Sequence, residues 1–127
     1  MTPVFVYGTL LSGRYNHDYF LKGVEFMGEA TLQGYALYNL GSYPGIIPAS
    51  GERVMGEVYQ VDDQILARLD RLEGNGWLYT RQVVGARVGE KDISVQVYIW
   101  NGEVNPGNKI GLDSQPWNDE KMMGRYI

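Results

Sequence analysis

The sequence predicts an α+β fold, a small mixed and mainly antiparallel β-barrel with one principal helix against it. Three observations carry that expectation. Runs rich in β-branched and aromatic residues recur from residue 3 to residue 100, separated by Gly- and Pro-containing breaks. Only residues 63–73 sustain the apolar spacing of an amphipathic helix. Glycine fills 17 of 127 positions, well above the usual share of about 7%. The glycines are scattered between hydrophobic runs, where a β-rich chain needs turns and bulges.

In chain order, PVFVY (3–7) reads as a short buried strand stopped by Gly8, followed by a brief helical piece in NHDYFLKG (16–23). VEFMGEATLQ (24–33), GYALYNL (34–40) and RVMGEVYQV (53–61) read as three strands, and the Pro and Gly of SYPGIIPASGE (42–52) make it the loop between the last two. In DQILARLDRLE (63–73), Ile65, Leu66, Leu69 and Leu72 fall at helical spacing. Asp62 or Asp63 is the expected N-cap, and Gly74 stands where a helix ends. The NGW that follows is expected to supply a turn and an aromatic wall. YTRQVVGARV (79–88) and DISVQVYIW (92–100), joined by GEK, form a hairpin. The tail from Asn101 is weakly periodic and expected to be irregular. No repeat or linker is visible, so residues 1–127 read as a single domain large enough for one core.

Composition narrows the function classes. Eleven Lys and Arg stand against 15 Asp and Glu, a formal charge of -4, with no basic run longer than a pair. That balance argues against nucleic-acid and anionic-membrane partners, which require a positive face. The chain has no cysteine and one histidine, His17, which removes thiol nucleophiles and disulfides and weakens any zinc site. No signal peptide or long apolar run is present, so a cytoplasmic location is expected. The motifs G-x-S-x-G, G-x-x-x-x-G-K-[ST] and H-E-x-x-H are absent.

Two constellations remain. On a helical wheel with Ile65 at zero, Leu69 lies at about 40°, Leu72 at about -20°, Leu66 at about 100° and Glu73 at about 80°. Glu73 therefore points with the leucines, while Arg68 and Arg71 lie on the far side. Either the helix persists and aims this acid between core residues, or it frays and the carboxylate is solvated. In the first case, burial and the negative end of the helix dipole both raise its pKa, which makes it a better base. The second constellation is Tyr7-Gly8-Thr9-Leu10, where a strand runs into a glycine. Successive N–H groups there can hold a carboxylate or an oxyanion, unless the glycine merely ends the strand with a positive φ. His17, between Asn16 and Asp18, reads as a surface residue. Tyr35, Tyr38, Tyr43, Tyr59, Tyr79 and Tyr98 are candidates to line a pocket, but in a sheet of this size most are expected to be packing residues with a wet hydroxyl.

Taken together, VFVYGTL (4–10), YPGIIP (43–48), VMGEVYQVDD (54–63), LDRLEG (69–74) and LYTRQVV (78–84) resemble the gamma-glutamylcyclotransferase-like family, of the small gamma-glutamylamine cyclotransferase type. The resemblance implies a small β-barrel with flanking helices and a cavity. It also implies substrate binding by Tyr7, Gly8, Thr9 and Leu10, and an acid–base role for Glu73. Tyr79, at the matching Tyr-x-Arg position, is carried over as a pocket residue. The implied reaction is attack of a γ-glutamyl α-amine on its own γ-carbonyl, which yields 5-oxoproline and a free amine or amino acid. The implied partner is a small γ-glutamyl substrate, with no cofactor and no metal. The alternative is a non-catalytic module that keeps the cavity for an amino-acid-like ligand. Trp117 and Tyr126 in the tail are candidates to close the pocket.

Overall fold

The computed structural model of the chain describes residues 1–118. Strand β1 (Thr2–Val6) leads through a loop into the short helix α1 (His17–Phe20). Two long strands follow, β2 (Glu25–Asn39) and β3 (Pro44–Val61), then the principal helix α2 (Asp63–Glu73). The hairpin β4 (Tyr79–Val88) and β5 (Lys91–Trp100) completes the main sheet. A two-residue strand, β6 (Lys109–Ile110), lies between two 3-10 turns in the tail. The strands run in the order β3-β1-β5-β4-β2, and β2 pairs back onto β3 to close an irregular barrel. All pairings between these strands are antiparallel except that of β1 with β5, so the expected mixed, mainly antiparallel barrel is the observed one.

The position of β1 explains its sequence. It lies between β3 and β5, and Val4, Phe5 and Val6 are all buried. A strand covered on both faces is apolar throughout rather than alternating. Gly56 of β3 makes room for it, since a Cβ there would run into the Val6 carbonyl and the Phe5 ring.

Three sequence expectations about the strands change. Residues 24–33 and 34–40 form one strand, and the expected loop at 42–52 is the first half of β3, paired with β2 from Asn39↔Pro44 to Tyr35↔Pro48. Gly34, at φ 85°, is a bulge and not a break. Gln33 pairs with Arg53 and Tyr35 with Pro48, so residues 49–52 loop out opposite Gly34. The proline and glycine signal was real: Pro44 is the strand's first residue, a position that accommodates proline, Pro48 is the last paired residue before the excursion, and Gly51, at φ 81°, lies within it. The hairpin is also tighter than GEK suggested. Val88 pairs with Lys91, leaving Gly89 and Glu90 as the connection, with Gly89 at φ 60°.

Helix α2 persists through Glu73. Asp62 is the N-cap, its carboxylate accepting from the Ile65 N–H at 2.8 Å. At the other end Gly74 takes the left-handed conformation, φ 59° and ψ 52°. Its N–H donates to the Arg71 carbonyl and that of Asn75 to the Asp70 carbonyl, a pair of bonds that closes the last turn. Leu69 is fully buried, while Ile65, Leu66 and Leu72 pack half-buried against the same core.

The tail as far as residue 118 is mostly irregular, as expected, but Trp117 does not close a pocket. Its ring is fully buried in the core, and its carbonyl accepts from Arg14 Nε at 2.8 Å. Tyr126 lies outside the described residues.

Candidate functional site

Beyond Val6 the chain leaves the sheet, and Tyr7 to Leu10 form a turn closed by the Leu11 N–H donating to the Gly8 carbonyl at 3.0 Å. Gly8 is required here for close packing and not for handedness, since it is not among the positive-φ residues. A Cβ on it would lie 2.7 Å from both Cδ and Cγ of Pro44. Gly8→Ala is therefore expected to overpack this contact and destabilise the protein by about 1–3 kcal/mol. An unchanged urea midpoint would show that the turn yields freely.

Side chains clamp the turn from outside. Asn16 Nδ2 donates to Thr9 Oγ1 at 3.0 Å, and the Asn16 N–H donates to the Thr9 carbonyl at the same distance. His17, expected on the surface, is half-buried with Nδ1 2.9 Å from the Leu10 carbonyl, because α1 folds back over the turn. The Ser12 N–H donates to Glu57 Oε1 at 2.9 Å. By contrast, none of the Gly8, Thr9 and Leu10 N–H groups donates to another group among the described residues. Three consecutive amides without an acceptor form a cradle suited to an anion. The Leu10 side chain is buried in the core, so only its backbone is available to a ligand.

The turn and the end of α2 line one cleft, with about 350 Å³ of free space. Its wall includes Tyr7, Gly8, Thr9, Leu10, Glu73 and Tyr79, and Tyr43, Pro44 and Tyr98 complete it. The structure thus brings all six sequence-selected residues together. The aromatic wall comes from Tyr7, Tyr43, Tyr79 and Tyr98; Trp77, assigned that place from the sequence, is 66% exposed. Tyr7 donates to the Tyr98 carbonyl at 2.6 Å, and Tyr79 donates to the Pro44 carbonyl at 2.7 Å.

The Glu73 carboxylate accepts no hydrogen bond among the described residues, and burial pushes its pKa up from 4.5 to about 7. The three hydroxyls around it are shifted upward as well. Burial first, with the negative charge of Glu73 adding to it, raises Tyr7, Tyr79 and Tyr98 and keeps them neutral donors. A single acid that titrates near neutrality therefore sits among neutral donors and opposite free amides.

A second lobe continues outward past Glu73, with about 510 Å³ of free space between Tyr15, Asn16, Tyr43, Leu72 and Leu78. Among the described residues no Lys, Arg or His lines it. Sequence reasoning singled out neither Tyr43 nor Tyr98 from the other tyrosines, and it left Asp70 and Arg81 aside. The spacing from Asp70 to Glu73, one helical turn, was the available signal. Among the described residues no group of His, Asp and Glu is arranged to hold a metal ion, and no helix is long and apolar enough to cross a membrane.

The closed barrel, with Glu73 the single carboxylate lining an aromatic cleft among the described residues, defines a class of small α+β proteins. Within that class the chain belongs to the family described as gamma-glutamyl cyclotransferase, AIG2-like, whose sequence model matches residues 4–119. It is 45% identical over 115 residues to a putative gamma-glutamylcyclotransferase of Vibrio cholerae, covering 90% of this chain and 93% of that one. It is 35% identical over 116 residues to the gamma-glutamylcyclotransferase family protein YtfP of Escherichia coli, covering 91% and 96%. A bovine gamma-glutamylaminecyclotransferase is 42% identical over 90 residues, which is 64% of this chain and 54% of that protein. Among solved structures, an AIG2-like protein from Mus musculus superposes with a TM-score of 0.74 at 28% identity, covering 94% of this chain and 86% of that one.

Proposed function

We propose that this chain cleaves γ-glutamyl amides by cyclisation, releasing 5-oxoproline and an amine. The observation that carries this reading is the Glu73 carboxylate, with its pKa near 7, in the same cleft as the Gly8–Leu10 amides, neither of them paired among the described residues. A γ-glutamyl compound contains its own nucleophile, so the protein need only hold the substrate curled, move protons and steady the oxyanion.

At neutral pH the α-amine, with a pKa of about 8, is mostly protonated. Glu73 removes a proton, and the freed nitrogen attacks the γ-carbonyl carbon. A C–N bond forms, and the carbonyl π electrons move onto oxygen. Collapse of this oxyanion breaks the bond to the leaving nitrogen. Two protons pass in all from the attacking nitrogen to the departing one, and a single carboxylate relays both and ends in its starting form. The amides of the turn serve the substrate carboxylate or the oxyanion, and Tyr79 shapes the wall.

The outer lobe selects the leaving group. An amino-acid leaving group carries a carboxylate, and among the described residues no cationic side chain lines that lobe to receive it. Burying the carboxylate there unpaired costs about 1–3 kcal/mol, so γ-glutamyl alkylamines are expected to exceed γ-glutamyl amino acids in kcat/KM by about tenfold or more. The test is incubation with both series, with 5-oxoproline read by mass spectrometry. Saturable binding without product would make the protein a ligand-binding module. A preference for amino acids would overturn the assignment of the outer lobe.

A further inference from the structure

One turn before Glu73, Asp70 faces the sheet. Its Oδ1 accepts from the Tyr98 hydroxyl at 2.7 Å and from Arg81 Nε at 2.8 Å, and its Oδ2 accepts from Arg81 Nη2 at 3.2 Å. Arg81 is itself fixed, with Nη1 donating to Gln96 Oε1 at 3.0 Å and its backbone N–H donating to Asn75 Oδ1 at 2.8 Å. Asn75 closes the loop through its own N–H, which donates to the Asp70 carbonyl at 2.9 Å. The Tyr98 carbonyl accepts from Tyr7, the first residue of the amide turn. These bonds tie the last turn of α2 to β4 through Arg81, to β5 through Tyr98, and onward to the amide cradle.

We infer that the Asp70–Arg81 pair is the positioning device for Glu73, fixing the helix end that carries it while presenting no net charge to the cleft. The inference rests on the acid–base role proposed for Glu73. The side chains of Arg81 and Asp70 are only 24% and 26% exposed, so each charge is shielded chiefly by the other and less by water. Facing Glu73 are Tyr7 of the turn, Tyr43 before β3, Tyr79 on β4 and Tyr98 on β5; Tyr15 borders the outer lobe, Asp70 belongs to its own helix, and Arg81 on β4 is joined to the site through Asp70. Within this set Asp70 and Arg81 form an ion pair whose opposite formal charges cancel. The environment of the acid is then set by burial, which is what a base working near neutrality requires.

The pair makes opposite predictions for its two members, which a purely structural contact would not. Asp70→Asn is isosteric and keeps an acceptor for Tyr98, but it leaves the Arg81 cation unbalanced. Glu73 should then titrate lower by at least about half a unit. Arg81→Gln leaves the Asp70 carboxylate unbalanced and should move Glu73 upward by a similar amount. The double variant restores neutrality and should return Glu73 close to its wild-type titration. Arg81→Lys keeps the charge but loses the fork, so the titration should hold while kcat falls. The readout is the side-chain carboxyl resonance of Glu73, followed by carbon-13 NMR against pH in the ligand-free protein, with kcat measured alongside. Shifts in one direction for both single variants, or no shift in either, would overturn the inference. If Arg81→Gln does not fold, the isosteric Asp70→Asn variant decides alone by its direction. Because the titration is read without substrate, a chain that released no 5-oxoproline would overturn the proposed activity and leave this result standing.

Discussion

Glu73→Gln is expected to lower the rate of 5-oxoproline release by about 10²–10⁴-fold, the usual contribution of a positioned acid–base group, while the protein itself becomes more stable. The amide keeps the size of the carboxylate but cannot accept the α-ammonium proton or return it to the leaving nitrogen. Substrate affinity should change little, because the proposed anion contacts come from the Gly8–Leu10 amides. Turnover at the wild-type rate would remove Glu73 from the mechanism. The stability gain follows from linkage. The pKa of Glu73 is raised on folding, from 4.5 to about 7, so the wild-type protein is unpenalised below the lower value. It loses stability as pH rises between the two and is uniformly weakened above about pH 7. A difference of about 2.5 units corresponds to up to about 3 kcal/mol. The Gln variant, which has no charge to bury, should exceed the wild type by up to that amount at pH 8 and by less than half of it near pH 5.5. Urea denaturation at the two pH values measures this, and equal stabilities at pH 8 would show that the carboxylate is solvated.

The largest loss of stability is expected for Trp117→Ala. This ring, 0% exposed, comes from the tail, and the same residue's carbonyl receives Arg14 Nε. Truncating a fully buried tryptophan costs about 3–5 kcal/mol through lost burial and the cavity left behind. The indole N–H has no acceptor among the described residues, which offsets part of the gain from burial and places the loss toward the lower end of that range. Trp117→Phe, which keeps an aromatic ring and removes the unpaired donor, should lose much less. Urea unfolding of both variants tests the argument, and a Trp117→Ala protein as stable as wild type would show that the tail is not part of the core.

These residues also show where sequence reasoning reaches and where it stops. The direction of Glu73 followed from helical geometry alone, because a wheel depends only on local spacing and the caps at Asp62 and Gly74 are local as well. The strands were legible from their β-branched and aromatic runs. The stretch at 42–52 was misread because proline and glycine announce irregular backbone without revealing whether a partner strand lies alongside. In this chain β2 does, across a bulge at Gly34. His17 was placed on the surface because its immediate neighbours are polar, yet its partner is the carbonyl of Leu10, seven residues earlier.

The sequence by itself determined the single capped helix, the acid carried on its apolar side, the strand that ends at Gly8, and the family motifs that link them. Only the tertiary structure decided why Gly8 must be glycine, which tyrosines wall the cleft, and that Asp70 and Arg81 stand together. Side-chain periodicity and capping act over one or two turns of chain, so they are written in neighbouring residues. The reach from Gly8 to Pro44, from Tyr7 to Tyr98, or from Asp70 to Arg81 depends on how the barrel closes, which no local pattern encodes.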